Sequence, residues 1–590
     1  LELEALAAFL NDPANDHLGI QLDILNVTDD TTIAGLYSDW DTQPCSYERA
    51  NDVAGAIAGK LFALEDTLPD GDALDYVLVV GTDEQIPFFR QADLSRDANA
   101  STMAGVFEPG SAGWGAALSE TFLTDDGYGD RDPVAWLGDQ LFVPEKAVGR
   151  LVEGPADIIG AIDTCTLYGC LLNPETALST SHDFLDDVGA AIAAVQGAIV
   201  GAVGVDDELV ATATPWDPLA IGGKLDPASG EAYGLISLNA HFAPDLLLAD
   251  DFDTYTVSTF STNSADYTNR VVISVGCNAA LNLPDSTYSS GGRLDWSQAF
   301  AQQGVGAWIG NTSYGIGHKE AIAMTELLDL YTMEGIAFGL STGQAVWYAK
   351  QLYFAQLGLY SVYDYKAMQQ LTHYGIPWLR LGTAPTVDLP GPPAVATSTT
   401  PVFGDVSSTS LAFAPAFADV DLVGADPTDP TDPDNRGTYV EVTGGTVTEV
   451  GDPTAQALST SNPPQLTHNR PIIPKTVVDV TVPGQVAKGA VFRSLTTVDE
   501  PGFDPVVARM MIDDSAQEFE PGLADNPFPN TFLTVVDRTT PDGQTGQNLV
   551  VAPGQFFTAE DGTGIMRTFT GFEVEVFYSN SDDFTPPSID

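Results

Sequence analysis

Short continuous runs of apolar residues, closed by glycine or by a polar residue, recur through the first two-thirds of the chain. Asp75-Tyr-Val-Leu-Val-Val-Gly81, Gly234-Leu-Ile-Ser-Leu-Asn-Ala-His241, Arg270-Val-Val-Ile-Ser-Val-Gly-Cys277 and Gly304-Val-Gly-Ala-Trp-Ile-Gly-Asn311 each read as a strand buried on both faces. Between them the pattern is helical, at Ala50 to Leu64, Pro155 to Leu171, Asp295 to Gln303, His318 to Tyr331 and Ser341 to Leu357, with a turn at Tyr374-Gly-Ile-Pro377. The Ala- and Gly-rich stretch from Val188 to Val205 sets Ile192, Val195, Ile199 and Val203 on one face, which suits a buried helix better than a membrane span. Strands alternating with helices predict an α/β layered region built on a parallel sheet.

Near residue 384 the character changes. Pro385, Pro390, Pro392 and Pro393 punctuate the chain, and thereafter Thr, Val, Gly and Pro dominate without a helical period. Thr438 to Val442, Lys475 to Val482 and Thr570 to Tyr578 read as strands. The run Asp426-Pro-Thr-Asp-Pro-Thr-Asp-Pro-Asp434 loses a backbone donor at every third position, so it reads as an exposed acidic spacer, with calcium capture as the competing reading. A chain of 590 residues exceeds one core. The expected division is an N-terminal α/β subdomain over 1–170, a second, catalytic α/β subdomain over 171–385, and a β-rich region of one or two sandwiches over 386–590.

Charge changes the picture of partners. Asp and Glu number 82 against 22 Lys and Arg, a formal net charge of -60. Phosphate backbones and anionic membrane surfaces are repelled by such a field, so nucleic acid is excluded as a partner class. Self-repulsion on this scale is relieved by salt, whose screening length falls from ~10 Å at 0.1 M to ~3 Å at 1 M, and a salt-rich habitat fits. Four cysteines are too few for a disulfide framework. Cys165 and Cys170, five apart in what reads as one helix, are expected to be buried small apolar residues. No basic n-region and apolar h-region open the sequence at Leu1, so an export signal is not in view.

Two neighbouring strands end in residues fit for nucleophilic catalysis. His241 closes one and Cys277 the other, 36 residues later, which leaves room for a crossover between parallel strands. A cysteine attacks as thiolate, and an adjacent imidazole that takes its proton supplies that form at neutral pH. Gly276 permits a sharp bend before the nucleophile, and the amides of Cys277 and Phe242 are candidate oxyanion donors. His17, His182, His373 and His468 lack metal-like spacing, and His318 is expected to cap a helix or sit at the surface. No glycine-rich loop followed by lysine offers a phosphate site.

Several blocks in order then resemble the gingipain-type peptidases of the caspase-like group. They are Val77-Leu-Val-Val-Gly81 with Gln85-Ile-Pro-Phe-Phe-Arg90, Thr124-Asp-Asp-Gly-Tyr-Gly-Asp130, Ala147-Val-Gly-Arg-Leu151, Ser237-Leu-Asn-Ala-His241, Ser274-Val-Gly-Cys-Asn278, Gly304 to Thr312 and Tyr374-Gly-Ile-Pro377. The agreement spans about residues 20 to 385. It implies a caspase-like catalytic region followed by immunoglobulin-like β domains, and a cysteine endopeptidase with Cys277 as nucleophile and His241 as base. It also implies an S1 wall at Asn311, Thr312, Ser313 and Tyr314, and location outside the cell or at its surface. A basic residue before the scissile bond would need an acidic partner, for which Asp125, Asp126 and Asp130 are candidates. The chain departs from the family where Phe242 replaces the usual glycine after the histidine and where Gly375-Ile376-Pro377 replaces Gly-Asp-Pro. The expected partner is a peptide or protein substrate; the chemistry requires no cofactor, and structural calcium is the one addition considered. The alternative from a different class is an inactive caspase-like scaffold serving as a surface or adhesion protein.

Overall fold

The apolar runs become the strands of one eight-stranded sheet in the computed structural model, which describes residues 2–69, 74–212, 216–250, 253–289, 294–319, 321–358, 360–383, 398–422, 437–451, 455–458, 463–512, 527–540, 545–558 and 564–580. We number its strands β1 (Tyr76–Val80), β2 (Ala147–Leu151), β3 (Ala177–Thr180), β4 (Val205–Leu209), β5 (Leu235–Leu238), β6 (Val271–Ile273), β7 (Ala307–Asn311) and β8 (Leu371–Gly375). Their spatial order is β1-β2-β8-β7-β6-β5-β3-β4. Every neighbouring pair is parallel except β7 with β8, so two parallel blocks meet along one antiparallel seam.

Both faces of the central strands are covered, which is why β5, β6 and β7 are largely apolar, whereas the edge strand β4 carries Asp206, Asp207 and Glu208. Ile236, Leu238, Val272 and Trp308 enter one core, and Leu235, Val271, Ile273 and Ile309 enter the core on the other face. Helices from Thr325–Ala337, Thr342–Gln356 and Val362–Gln370 close the second face. Capping boxes at Ser341 and Ser361 start the last two.

Four local expectations are corrected. Cys165 and Cys170 are buried, as read, but they form a disulfide. The helix from Pro155 stops at Tyr168, and Gly169 and Cys170 at φ 66° and 55° reverse the chain so that the second cysteine faces the first. His318 does not open a helix or lie at the surface. It is fully buried in a two-residue strand, Gly317–His318, and the helix begins only at Thr325. Tyr374 and Gly375 complete β8 instead of forming a turn, which comes at Pro377. The helix from Asp186 ends at Val200 before a left-handed Gly201, leaving Val203 exposed.

Beyond residue 397 the described chain is antiparallel. A seven-stranded sheet, whose longest members are Val406–Asp421, Thr438–Glu449, Val486–Phe503 and Gly564–Ser579, shares an apolar core with a three-stranded sheet of Thr476–Asp479, Leu533–Thr539 and Thr545–Val551. The smaller sheet sits on the Thr342–Gln356 helix, with Phe354 packed among Val477, Val536 and Val550 and the Asn548 amide donating to the Ala355 carbonyl at 3.0 Å. The proline cluster 385–393 and the acidic run 426–434 lie outside the described residues.

Several of the scarce cations are inside. Arg90 pairs with Asp83 at 2.6 Å, Arg150 with Asp125 at 2.5 Å and Lys366 with Asp93 at 2.7 Å, all buried. Asp126 meets Lys350 at 2.5 Å, yet burial pushes the acid up to about 7 and lowers the amine, the pairing offsetting only part of that effect.

His373 on β8 supplies a pH test. Burial holds its imidazole down at about 4, against an ordinary 6.5. As pH falls from 6.5 toward 4 the unfolded chain takes up a proton that the folded chain refuses, so stability present above that window is lost across it. The loss between pH 7.5 and pH 5 amounts to about 2 kcal/mol. Thermal melts should show the wild type losing more stability on acidification than His373→Gln; equal losses would mean that the imidazole is not held neutral.

Candidate active site

The site is built by the pairing of β5 with β6. Leu235, Ile236 and Ser237 lie opposite Val271, Val272 and Ile273, a constant offset of 36. The Ser274 hydroxyl extends the match by donating to the Leu238 carbonyl at 2.8 Å. His241 and Cys277 are separated in sequence by that same 36 residues, each lying a few residues beyond its strand.

Past the strand tips the two segments stay in contact. His241, Phe242 and Ala243 form the first strand of a hairpin, and alternation along it buries the Phe242 side chain while His241 is half-buried. The Phe242 side chain packs closely against Gly276: a Cβ at that glycine would come within 2.6 Å of the ring Cγ. Trp296 backs the ring, centroid to centroid at 5.5 Å. The bulky side chain therefore points into the core, away from the face that carries His241. The imidazole is flanked by His182 at 5.7 Å and Phe184 at 6.0 Å, and His182 is itself packed edge-on against Trp216.

Cys277 sits on a turn that the end of β7 holds in place. The Asn311 side-chain amide, fully buried, donates to the Val275 carbonyl at 3.0 Å and reaches that of Gly276 at 3.4 Å. In return the backbone N–H of Asn278 donates to Ser313 and that of Ala280 to Asn311, at 2.6 and 2.9 Å. Asn278 adopts φ 55°, a left-handed conformation that asparagine tolerates better than most residues. The Cys277 Sγ lies 3.7 Å from the Gly315 carbonyl oxygen.

Of the four residues expected to wall a pocket, three are thus buried behind the cysteine turn. Asn311 braces it, Thr312 donates its hydroxyl to the Leu123 carbonyl at 2.5 Å, and the buried Ser313 hydroxyl finds no hydrogen-bond partner among the described residues. Tyr314 is more exposed; its hydroxyl bonds that of Thr102 at 2.6 Å and its ring lies under the Lys366 ammonium at 5.4 Å. The acidic candidates are engaged elsewhere: Asp125 by Arg150, Asp126 by Lys350, and Asp130 by the amides of Asp132 and Val143.

Two side chains near the site escaped sequence reading. Lys366 is buried on Asp93, and burial lowers its basicity while Asp93 offsets part of that effect. His182 carried no signal beyond its lack of metal spacing. No group of three or more His, Cys, Asp or Glu able to hold a metal ion occurs among the described residues.

Comparison with known proteins finds similar solved structures. Gingipain R, an Arg-specific cysteine proteinase, aligns at 13% identity over 77% of this chain and 94% of its own, with a TM-score of 0.43. The complex of Porphyromonas gingivalis RgpB pro- and mature domains aligns at 14% identity, 77% and 96% coverage and 0.42. The chain is similar to gingipain-type peptidases. A Saccharomyces cerevisiae separase–securin complex matches more narrowly, at 11% identity over 40% of this chain and 14% of that one, with a TM-score of 0.26. No family model and no curated protein matches.

Asn311→Ala removes one good hydrogen bond from two buried carbonyls, at a cost of about 1 to 3 kcal/mol. A melting-temperature drop together with slower alkylation of Cys277 is the expected outcome; unchanged alkylation would show that Asn311 does not set the cysteine turn. Gly276→Ala should be worse, since the added methyl meets a ring backed by Trp296. A melt of that variant matching wild type would overturn the packing argument.

Proposed function

We propose that the chain is a cysteine endopeptidase in which Cys277 is the nucleophile and His241 its base. The observation that carries this reading is the closure of the β5 and β6 tips by the Phe242 ring on Gly276. The residues bearing imidazole and thiol each adjoin that contact. The Cys277 sulfur attacks the scissile carbonyl while His241 takes the thiol proton and then delivers it to the leaving amine. Water next attacks the thioester, releasing the acid and restoring the thiol. Backbone N–H groups of Cys277 and Phe242 are the oxyanion donors, each worth ~3 to 4 kcal/mol in such sites. Because the Phe242 side chain is buried against Gly276, its bulk does not argue against that role for its amide.

The chemistry calls for no metal or organic cofactor, and its partner is a peptide or protein substrate. Acid excess favours basic segments by steering, which supports Arg or Lys before the scissile bond. The Cys165–Cys170 disulfide supports residence in an oxidising compartment such as the cell exterior. Among the described residues no helix is long and apolar enough to cross a membrane.

Fluorogenic peptides differing only at the residue before the scissile bond test the reading. Cys277→Ala should abolish cleavage and His241→Ala should lower kcat/KM by about 10²- to 10⁴-fold. The same histidine variant should move alkylation of Cys277 toward the pH profile of an ordinary thiol, near ~8.5. Cleavage that survives Cys277→Ala would end the assignment.

A further inference from the structure

The thiol of Cys277 has a second neighbour from far along the chain. Its Sγ lies 3.8 Å from the carbonyl oxygen of Ile512, which belongs to the β-rich region. Met510–Met511 pairs antiparallel with Gly317–His318, the short strand that follows the Gly315 carbonyl on the other side of the thiol.

The pairing is a true ladder. The Lys319 N–H donates to the Arg509 carbonyl at 3.3 Å. Bonded pairs alternate along antiparallel strands, so Gly317 with Met511 is the next bonded pair and His318 with Met510 lies between them. The Met510 N–H accordingly turns away and donates to His468 Nδ1 at 3.1 Å. Met510 is buried in the core that holds Ile316, Met324 and Leu328, and Ile512 packs on the same core. The segment is delivered from Val506 and Ala508, whose backbones bond Ile472 and Arg470.

An extended backbone laid antiparallel on a strand edge, anchored by alternate side chains, is the arrangement by which a peptide binds through strand addition. Here it ends with a carbonyl at the nucleophile. We propose that Arg509–Ile512 is a cis-acting occupant of the peptide groove, which closes Cys277 to substrate until the segment is displaced. This rests on the reading of Cys277 as nucleophile. An incoming extended peptide would compete for the N–H and C=O groups of Gly317 and Lys319 that the segment now uses.

The test uses the full chain as wild type, Met511→Pro and Met510→Ala. Proline removes the donor of the Gly317–Met511 pair, and alanine removes the buried anchor more mildly. Alkylation by iodoacetamide is followed at Cys277 and, as internal reference, at Cys45, whose thiol sits by the Ser111 carbonyl away from this groove. Displacement predicts at least tenfold faster modification of Cys277 with Cys45 unchanged, and a parallel rise in peptide hydrolysis. Should Met511→Pro speed both cysteines through general unfolding, Met510→Ala decides. No acceleration at Cys277 in that variant overturns the proposal. Faster labelling without hydrolysis of any peptide would uphold the occupant and remove the peptidase. Equal hydrolysis by wild type and variants would uphold the peptidase and remove the occupant.

Discussion

β5 and β6 pair in parallel at an unbroken offset of 36, and that register sets where each strand hands over to the turn that follows it. A slip of one residue would exchange the faces of one strand relative to the other, putting either Ile236 or Val272 into the wrong core. The double burial that makes these strands apolar thus also fixes which residues of β5 and β6 lie opposite each other. The Phe242–Gly276 contact locks the two segments again where the ladder has ended, and only glycine leaves room for it.

Much of this could be read from the chain because the signals are local. The runs ending at His241 and Cys277 carry their strand character in consecutive residues, and Ser341 announces its helix through the Gln344 three places on. What escaped depends on distant partners. His318 looked like a helix start because Gly317 precedes it; it is a strand because Met510 lies opposite, 192 residues away. Cys165 and Cys170 looked mismatched on a continuous helix, and only the left-handed pair after Tyr168 brings them together. Asn311 and Thr312 were legible as neighbours of the site, but not as its internal braces, since their acceptors belong to other strands and turns.

The net charge of -60 is carried outside the internal ion pairs, because each cation in them is matched by one buried acid. Arg90, Arg150, Lys350 and Lys366 are buried against acids, so these positive charges do not neutralise the exterior. Salt in the medium screens exposed carboxylates and hardly reaches the internal pairs. Ionic strength should therefore act on the compactness of the whole chain while leaving the interior pairs that position β2 and the helix of Lys350 as they are.

That helix, Thr342–Gln356, is shared property. On one side Lys350 holds Asp126 and the Gln351 amide donates to the Pro144 carbonyl, while the Gln351 carbonyl oxygen accepts from the Thr539 backbone and Phe354 enters the core of the smaller C-terminal sheet. A single glutamine thus joins residues almost four hundred positions apart. Removing the β-rich region would strip apolar cover from a helix that the main sheet also needs, so cutting the chain near residue 385 would expose Phe354 and leave a wounded fragment where a free-standing module might have been hoped for.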